Sequence, residues 1–199
     1  MSGRALRAMC AVVITVATVG CAVDPSATEP DDLIVLVDVP GGVAAASTSH
    51  GPFREEMGLA FGFSHDPIGA AIAATHLSPR LSTAAGPDVA TATLIQQCWG
   101  DVAAARARLL AAPPLSDQPP TGDQVPDALF FRVIAGDPTG EHVVVSLLAD
   151  TARARARRGF ARVDATLRWS DGDWRLRVPT QSAALHPDLD GYTMLGSRS

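Results

Sequence analysis

His65 and Asp66 stand side by side in the stretch FGFSHDPIGAAIAATH (61–76), between an aromatic, glycine-containing lead and a run of small residues. A histidine beside a carboxylate is the pair that general acid–base chemistry uses, provided a substrate pocket and tuned pKa values accompany it. The same residues have a second explanation. Asp66-Pro67 is a helix start: an aspartate N-cap accepts a backbone N–H, and proline at the first helical position gives up no hydrogen bond. Capping accounts for Asp66, and a histidine just before a cap packs or hydrogen-bonds against the loop. The acid–base reading therefore ranks second, and no catalytic residue is assigned. His65 and Asp66, with Trp169 and Trp174 from later in the chain, stand as candidate cleft residues of a small-ligand-binding or enzymatic protein.

The remaining reactive residue types do not assemble into a recognised pattern. HExxH, P-loop and CxxC motifs are missing, and GLAFGF (58–63) lacks the glycine spacing of a dinucleotide fingerprint. His76 closes the helix that Asp66 opens, where a cation suits the last carbonyls. His142 opens a strand and His186 lies in the C-terminal tail. Dispersed histidines without a cysteine set give no metal site, and no cofactor is expected. The run TARARARRGFAR (151–162) offers Arg153, Arg155, Arg157 and Arg158 as contacts for anionic lipid or an acidic protein face. Its plainer reading is a solvated run balanced by Asp150 and Asp164.

The elements that must position these residues follow from composition and pattern. At 199 residues the chain fits one domain with terminal segments. Hydrophobic residues make up 47% but aromatics only 5%, so Val, Leu, Ile and Ala must fill the core. Residues 1–25, MSGRALRAMCAVVITVATVGCAVDP, contain a charged start (Arg4, Arg7), an apolar run and a small-residue exit before Asp24. The uncharged stretch is shorter than the ~20 residues a spanning helix needs, so residues 1–20 read as an export signal. Its end, Thr18 to Cys21, resembles a bacterial lipoprotein box, with Thr18 where an aliphatic residue is usual; Cys21 is then the lipidation site. Cys10 leaves with the signal, and Cys98 remains as a small buried hydrophobe in an apolar helix. Losing Arg4 and Arg7 makes the chain more acidic than its net charge of -5, which argues against a nucleic-acid partner.

Residues 21–57 read as a tether and low-complexity lead, with one short strand over LIVLVDV (33–39) and a mobile PGGVAAASTSHGP (40–52). Residues 58–199 read as a single α+β domain. Helices are expected from Pro67, from Asp88 to about Trp99, and over VAAARARLLAA (102–112). A proline-rich linker (113–126) separates them from strands whose period is two. ALFFRVIAG and EHVVVSLLAD should form a hairpin, and Asp171-Gly172 a two-residue loop in which both residues need positive φ. That loop sets Trp169 opposite Trp174, Leu167 opposite Leu176 and Ala165 opposite Val178 on the buried face. It also sets Arg168 opposite Arg175 on the other face. Like charges directly opposite are destabilising, so that face needs an acidic neighbour, either local or from a partner.

GFSHDPIGAA, the helix-rich middle and RWSDGDWRLRVP together resemble an actinobacterial family of exported or membrane-attached proteins associated with conjugative elements. The element order and the Gly-Asp-Trp strand also resemble cystatin-like cone folds of the nuclear-transport-factor type. The resemblance implies N-terminal helices packed on a curved antiparallel sheet of about four strands. It further implies a non-enzymatic lipoprotein on the outer face of the cytoplasmic membrane. There it would act as a scaffold or accessory subunit of a conjugation or secretion-type envelope assembly, with an envelope protein as partner. The tail DLDGYTMLG (188–196) is either a docking segment or a cover for a sheet edge.

Overall fold

Pro40, Gly41 and Gly42 reverse an apolar chain, and the reversal builds a hairpin where a mobile lead was expected. The computed structural model describes residues 33–111, 122–180 and 183–198. β1 (Val35–Val39) and β2 (Gly42–Ala46) pair antiparallel from Val35↔Ala46 to Val39↔Gly42. Gly41 has φ +84°, and a Cβ there would stand 2.2 Å from the Pro79 carbonyl oxygen. Only glycine lets the turn lie against the helix that carries Pro79.

A two-stranded sheet follows, β3 (Arg54–Glu56) with β4 (Leu59–Phe61). Then come α1 (Pro67–Arg80), a 3₁₀ turn at Thr83–Ala85, α2 (Pro87–Gln97), β5 (Cys98–Gly100) and α3 (Val102–Ala111). The second half holds β6 (Pro126–Gly136), β7 (His142–Thr151), the short α4 (Ala152–Ala156), β8 (Phe160–Ser170), β9 (Asp173–Val178), β10 (Ala184–His186) and β11 (Thr193–Ser197). Among the described residues the main sheet has nine strands in the order β2-β1-β11-β6-β7-β8-β9-β5, with β10 pairing along β8. It is mixed: β1–β11 and β5–β9 run parallel, the other pairs antiparallel.

This corrects the expected fold. Of the described residues 44% lie in strands and 28% in helices, and the helices come after the first strands. The architecture is therefore not a four-stranded cystatin-like cone with N-terminal helices. The physical reason is non-local pairing. The tail strand β11 inserts between β1 and β6, so the tail is neither a docking segment nor an edge cover. Residues 33–57 accordingly belong to the same compact unit as the rest of the described residues rather than to a tether. Cys98 and Trp99, expected in a helix, form the edge strand β5 against β9.

The core lies between α1 and one face of the sheet. Ala70, Ala73, Ala74, Ile72 and Leu77 of α1 are fully buried, as are Val145 and Leu167 of the sheet. The alanines let the helix backbone approach closely while Ile72 and Leu77 fill the gaps. Truncating Leu77 or Leu167 to alanine would cost about 2–5 kcal/mol by the usual cavity penalty. The opposite face holds a smaller cluster of Ala128, Phe130 and Leu148, with Phe160, Leu189 and Tyr192 packed on it. The β8–β9 loop forms as read, with φ +55° at Asp171 and +78° at Gly172, and with Trp169↔Trp174, Arg168↔Arg175 and Leu167↔Leu176 in register. The β8–β9 ladder ends at Leu167↔Leu176, so the expected Ala165–Val178 pair does not form, and the other edge of β9 pairs with β5 from Cys98↔Leu176 to Gly100↔Val178.

Candidate functional site

The residues singled out from sequence meet at the N-terminal end of α1. Asp66 caps it with Oδ1 accepting from the Gly69 N–H at 2.7 Å. The His65 ring stacks on Trp169 with centroids 4.1 Å apart and 3° between planes, and meets the Trp174 ring edge-on at 5.3 Å. Its Nε2–H donates to the Gly140 carbonyl at 2.8 Å. Trp174, 1% exposed, donates its indole N–H to the Ser64 carbonyl at 2.9 Å. Asp173 accepts from the Gly62 N–H at 2.8 Å and the Phe63 N–H at 3.2 Å. The GFSHDP and SDGDW stretches, far apart in sequence, are thus locked to each other. The aromatic rings fill the space between them.

His65 and Asp66 share no hydrogen bond, because Asp66 turns its other oxygen to a histidine that the sequence reading passed over. His50 Nδ1 lies 2.9 Å from Asp66 Oδ2 and 2.9 Å from Ser64 Oγ. Burial alone would raise the Asp66 carboxyl. The Gly69 N–H, Ser64 and His50 outweigh it and hold the group below its ordinary value. Serine, histidine and aspartate here have the types of a nucleophilic triad without its geometry. A working triad puts serine and carboxylate on opposite ring nitrogens, whereas here both meet Nδ1. The cluster anchors the loop: Ser47 Oγ accepts from the Ser49 and His50 N–H groups, which sets the imidazole in place. The only local signal for His50 was the ST-turn chemistry of STSHGP.

His76 does not end its helix. α1 continues to Arg80, and both side chains are buried, at 0% and 1% exposure. His76 Nε2–H donates to the Ala45 carbonyl at 2.9 Å, and Nδ1 accepts from Arg80 at 3.0 Å. Burial, reinforced by the Arg80 charge, pushes the imidazole down to about 3, so it is neutral. Arg80 also donates to the Gly58 carbonyl at 2.7 Å and to Glu55 at 3.2 Å. Burial lowers the guanidinium while Glu55 opposes that. This network ties α1 to β2 and to the β3–β4 hairpin. It is a structural stitch whose histidine and arginine are both buried.

The Arg-rich run lies on α4 and the turn after it. Arg155 is held by Asp127 at 2.6 Å and Asp150 at 2.8 Å, while Arg153, Arg157 and Arg158 are exposed. His142 packs edge-on against Trp99, and His186 packs against Tyr192 in a tilted arrangement. Among the described residues no three or more His, Cys, Asp or Glu side chains are placed to hold a metal ion. Cys98 is buried and its thiol is pushed up to about 12 by burial, which makes it a poor nucleophile or ligand. Cys21 and residues 1–20, expected to be an export signal, lie outside the described residues. Among those described no helix is long and apolar enough to cross a membrane.

Open space lies at the other end of α1. Twelve residues separate Asp66 from Ser78, about 18 Å along the helix. There a groove of about 940 Å³ opens between α1 and the sheet, beneath the β1–β2 turn. Its floor is Leu129, Leu147, Ala149, Ala161 and Val163, and Thr75, Ser78 and Ser82 face it from α1 and the following turn. The sequence explains the space. Ala149 and Ala161 are directly paired in β7–β8, so two small side chains meet where larger pairs fill the core farther along. The Ser78 and Ser82 hydroxyl oxygens are buried without a hydrogen-bond partner, an arrangement that costs stability unless something bonds them. The groove therefore lies at the opposite end of α1 from His65, Asp66, Trp169 and Trp174, the expected cleft residues, none of which lines it.

Fold and site define a mixed-sheet domain with a helix-covered face and an apolar groove left open at the end of the covering helix. The chain belongs to the family described as Domain of unknown function (DUF8175), which matches residues 18–194. Neither the curated proteins nor the solved structures compared with it gave a match.

Proposed function

We propose that the protein is a non-catalytic, membrane-tethered binding module that holds an apolar small molecule in the groove beside Ser78 and Ser82. The observation that carries this reading is the groove itself. Its volume of about 940 Å³ falls in the range of small-molecule sites, which are mostly apolar with a few placed polar groups. An elongated apolar ligand with one hydroxyl, carbonyl or ether group suits it. The chain of the ligand would cover Leu147, Ala149, Ala161 and Val163, each buried CH₂ contributing about 0.8 kcal/mol. A 120° side-chain rotation is the step that brings a serine hydroxyl to the polar group. The non-catalytic part of the reading is supported by the occupied polar groups around His65 and Asp66, each already committed to the loop or the helix.

Titration of the full chain with N-phenyl-1-naphthylamine, a dye that brightens in apolar sites, tests the proposal. Saturable one-to-one binding is expected. Ala161→Trp, which fills the groove floor from a partly exposed position, should weaken it at least about ten-fold while leaving the melting temperature nearly unchanged. Equal binding by the variant would overturn the reading.

The tether rests on residues 1–21. Cys21→Ser is expected to release the protein from membranes, and its persistence there would refute lipid anchoring. The resemblance of GFSHDP and RWSDGDW to conjugation-associated exported proteins supports an accessory role in an envelope assembly. Crosslinking in cells that recovers a defined envelope partner tests that role, and recovery of the monomer alone would count against it.

A further inference from the structure

The face of the sheet turned away from α1 carries an arginine strip that groove binding does not use. Arg168 and Arg175 oppose each other across β8–β9, His142 opposes Arg168 from β7, and Trp99 opposes Arg177 from β5. The Arg168 guanidinium lies 4.9 Å from the centre of the Trp99 ring, and that of Arg177 5.8 Å. Trp99 is itself fixed, its indole N–H donating to the Arg175 carbonyl at 3.1 Å. Two guanidiniums thereby flank one indole on the sheet's edge strand, with Arg175 beside them.

Their charge is not neutralised as it is elsewhere. Arg162 has Asp164 at 2.8 Å, and Arg155 has two carboxylates. In the strip only Arg175 has one, Asp171 at 2.7 Å, whose side chain is 77% exposed. An ion pair that open to water contributes about 0–1 kcal/mol. Arg168 and Arg177 have no carboxylate partner among the described residues, and Arg168 Nε is buried without a hydrogen-bond partner. Like charges directly opposite in a sheet are destabilising, and here only the Trp99 ring and one exposed aspartate offset them, a departure from local rules of the kind functional surfaces show.

We propose that this strip binds an extended, acidic segment of a partner protein. Guanidiniums held against an aromatic ring present fixed forks, the geometry that bidentate carboxylate pairing needs. Arg175 and Arg177 lie two residues apart on one strand, so their side chains leave the same face about 6.6 Å apart. Alternate residues of an extended chain present carboxylates at that same repeat. A flat anionic membrane fits less well. A plane resting on the strip would also meet the exposed Asp171 and Glu141. A narrow segment can follow Arg175, Arg177 and Arg168 and needs to displace only the exposed Asp171 from Arg175. The proposal stands apart from the groove, which lies on the opposite face.

The test uses the full chain and a fluorescein-labelled ten-residue peptide alternating glutamate and threonine, followed by anisotropy. Binding is expected, weakening as salt rises and vanishing when glutamine replaces glutamate. Arg175→Gln with Arg177→Gln, both on the open side of the sheet, should reduce affinity at least about ten-fold. Arg168→Gln should reduce it too, with folding checked by circular dichroism. Failure of the glutamate peptide to bind, or equal binding by the double variant, would overturn the proposal. Co-sedimentation with phosphatidylglycerol vesicles supplies the other arm, comparing wild type with the double variant because the N-terminal segment is common to both. Loss of vesicle binding in the variant with peptide binding intact would assign the strip to membranes and overturn the proposal.

Discussion

Lowering the pH should destabilise this protein through one buried imidazole. In the folded chain His76 has its titration pushed down to about 3 by burial and by Arg80 3.0 Å away, against an ordinary value of 6.5. Between those two values the unfolded chain binds a proton that the native state refuses. Stability therefore falls as pH drops below 6.5, by up to about 1.4 kcal/mol per pH unit, and is insensitive to this group above it. From pH 6.5 to 5.0 the loss approaches 2 kcal/mol, or about 4–8 °C in melting temperature for a domain of this size. His76→Gln can still donate to the Ala45 carbonyl and accept from Arg80, but it cannot titrate. Urea unfolding of both proteins at pH 7, 6 and 5, followed by the fluorescence of buried Trp174, isolates the effect. Other titrating groups are common to both and cancel in the difference. Parallel stability profiles for wild type and His76→Gln below pH 6.5 would refute the reasoning.

Asp66→Ala removes both the cap on α1 and the anchor of His50, and is expected to cost about 1–2 kcal/mol; Asp66→Asn, which keeps an acceptor for Gly69, should cost clearly less in the same denaturant titration. Gly172→Ala places a Cβ that meets nothing within 4 Å but at φ +78°, so a loss of about 1–2 kcal/mol from backbone strain alone is expected; an unchanged midpoint would contradict it. The Cys98 thiol, buried and pushed up to about 12, should resist iodoacetamide at pH 8 until the protein is unfolded. Labelling of the native protein at the rate of a free thiol would show that β5 opens readily.

What the sequence disclosed was local. Asp66-Pro67 reads as a helix start because capping chemistry is contained in consecutive residues. Asp171-Gly172 reads as a hairpin because only a few residue types accept two positive φ values in succession. Both motifs formed as expected, and with them the Trp169–Trp174 pairing. The sheet was not legible, because its order depends on strands that carry no strong signal. β2 is GVAAA, β5 and β10 have three residues each, and β11 is TMLGS. Each is held by a neighbour distant in sequence, β11 by β1 and β6, and β5 by β9. The candidate site divides the same way. His65, Asp66, Trp169 and Trp174 do meet, since the hairpin register and the cap aim them at one another. His50 and the His76–Arg80 stitch depend on contacts with Asp66, Ala45 and Gly58 that no spacing announces. The groove is invisible for a further reason: it arises from what Ala149 and Ala161 fail to fill.

The most direct measurement is a map of where an apolar ligand binds. Amide chemical shifts of the isotopically labelled full chain, titrated with N-phenyl-1-naphthylamine, should move at Thr75–Ser82, Leu147–Ala149 and Ala161–Val163. The amide of His65, at the other end of α1 about 18 Å away, and those of Trp169 and Trp174 packed beside it should stay still. Shifts centred on His65 and the two tryptophans, with the groove amides unmoved, would contradict the account.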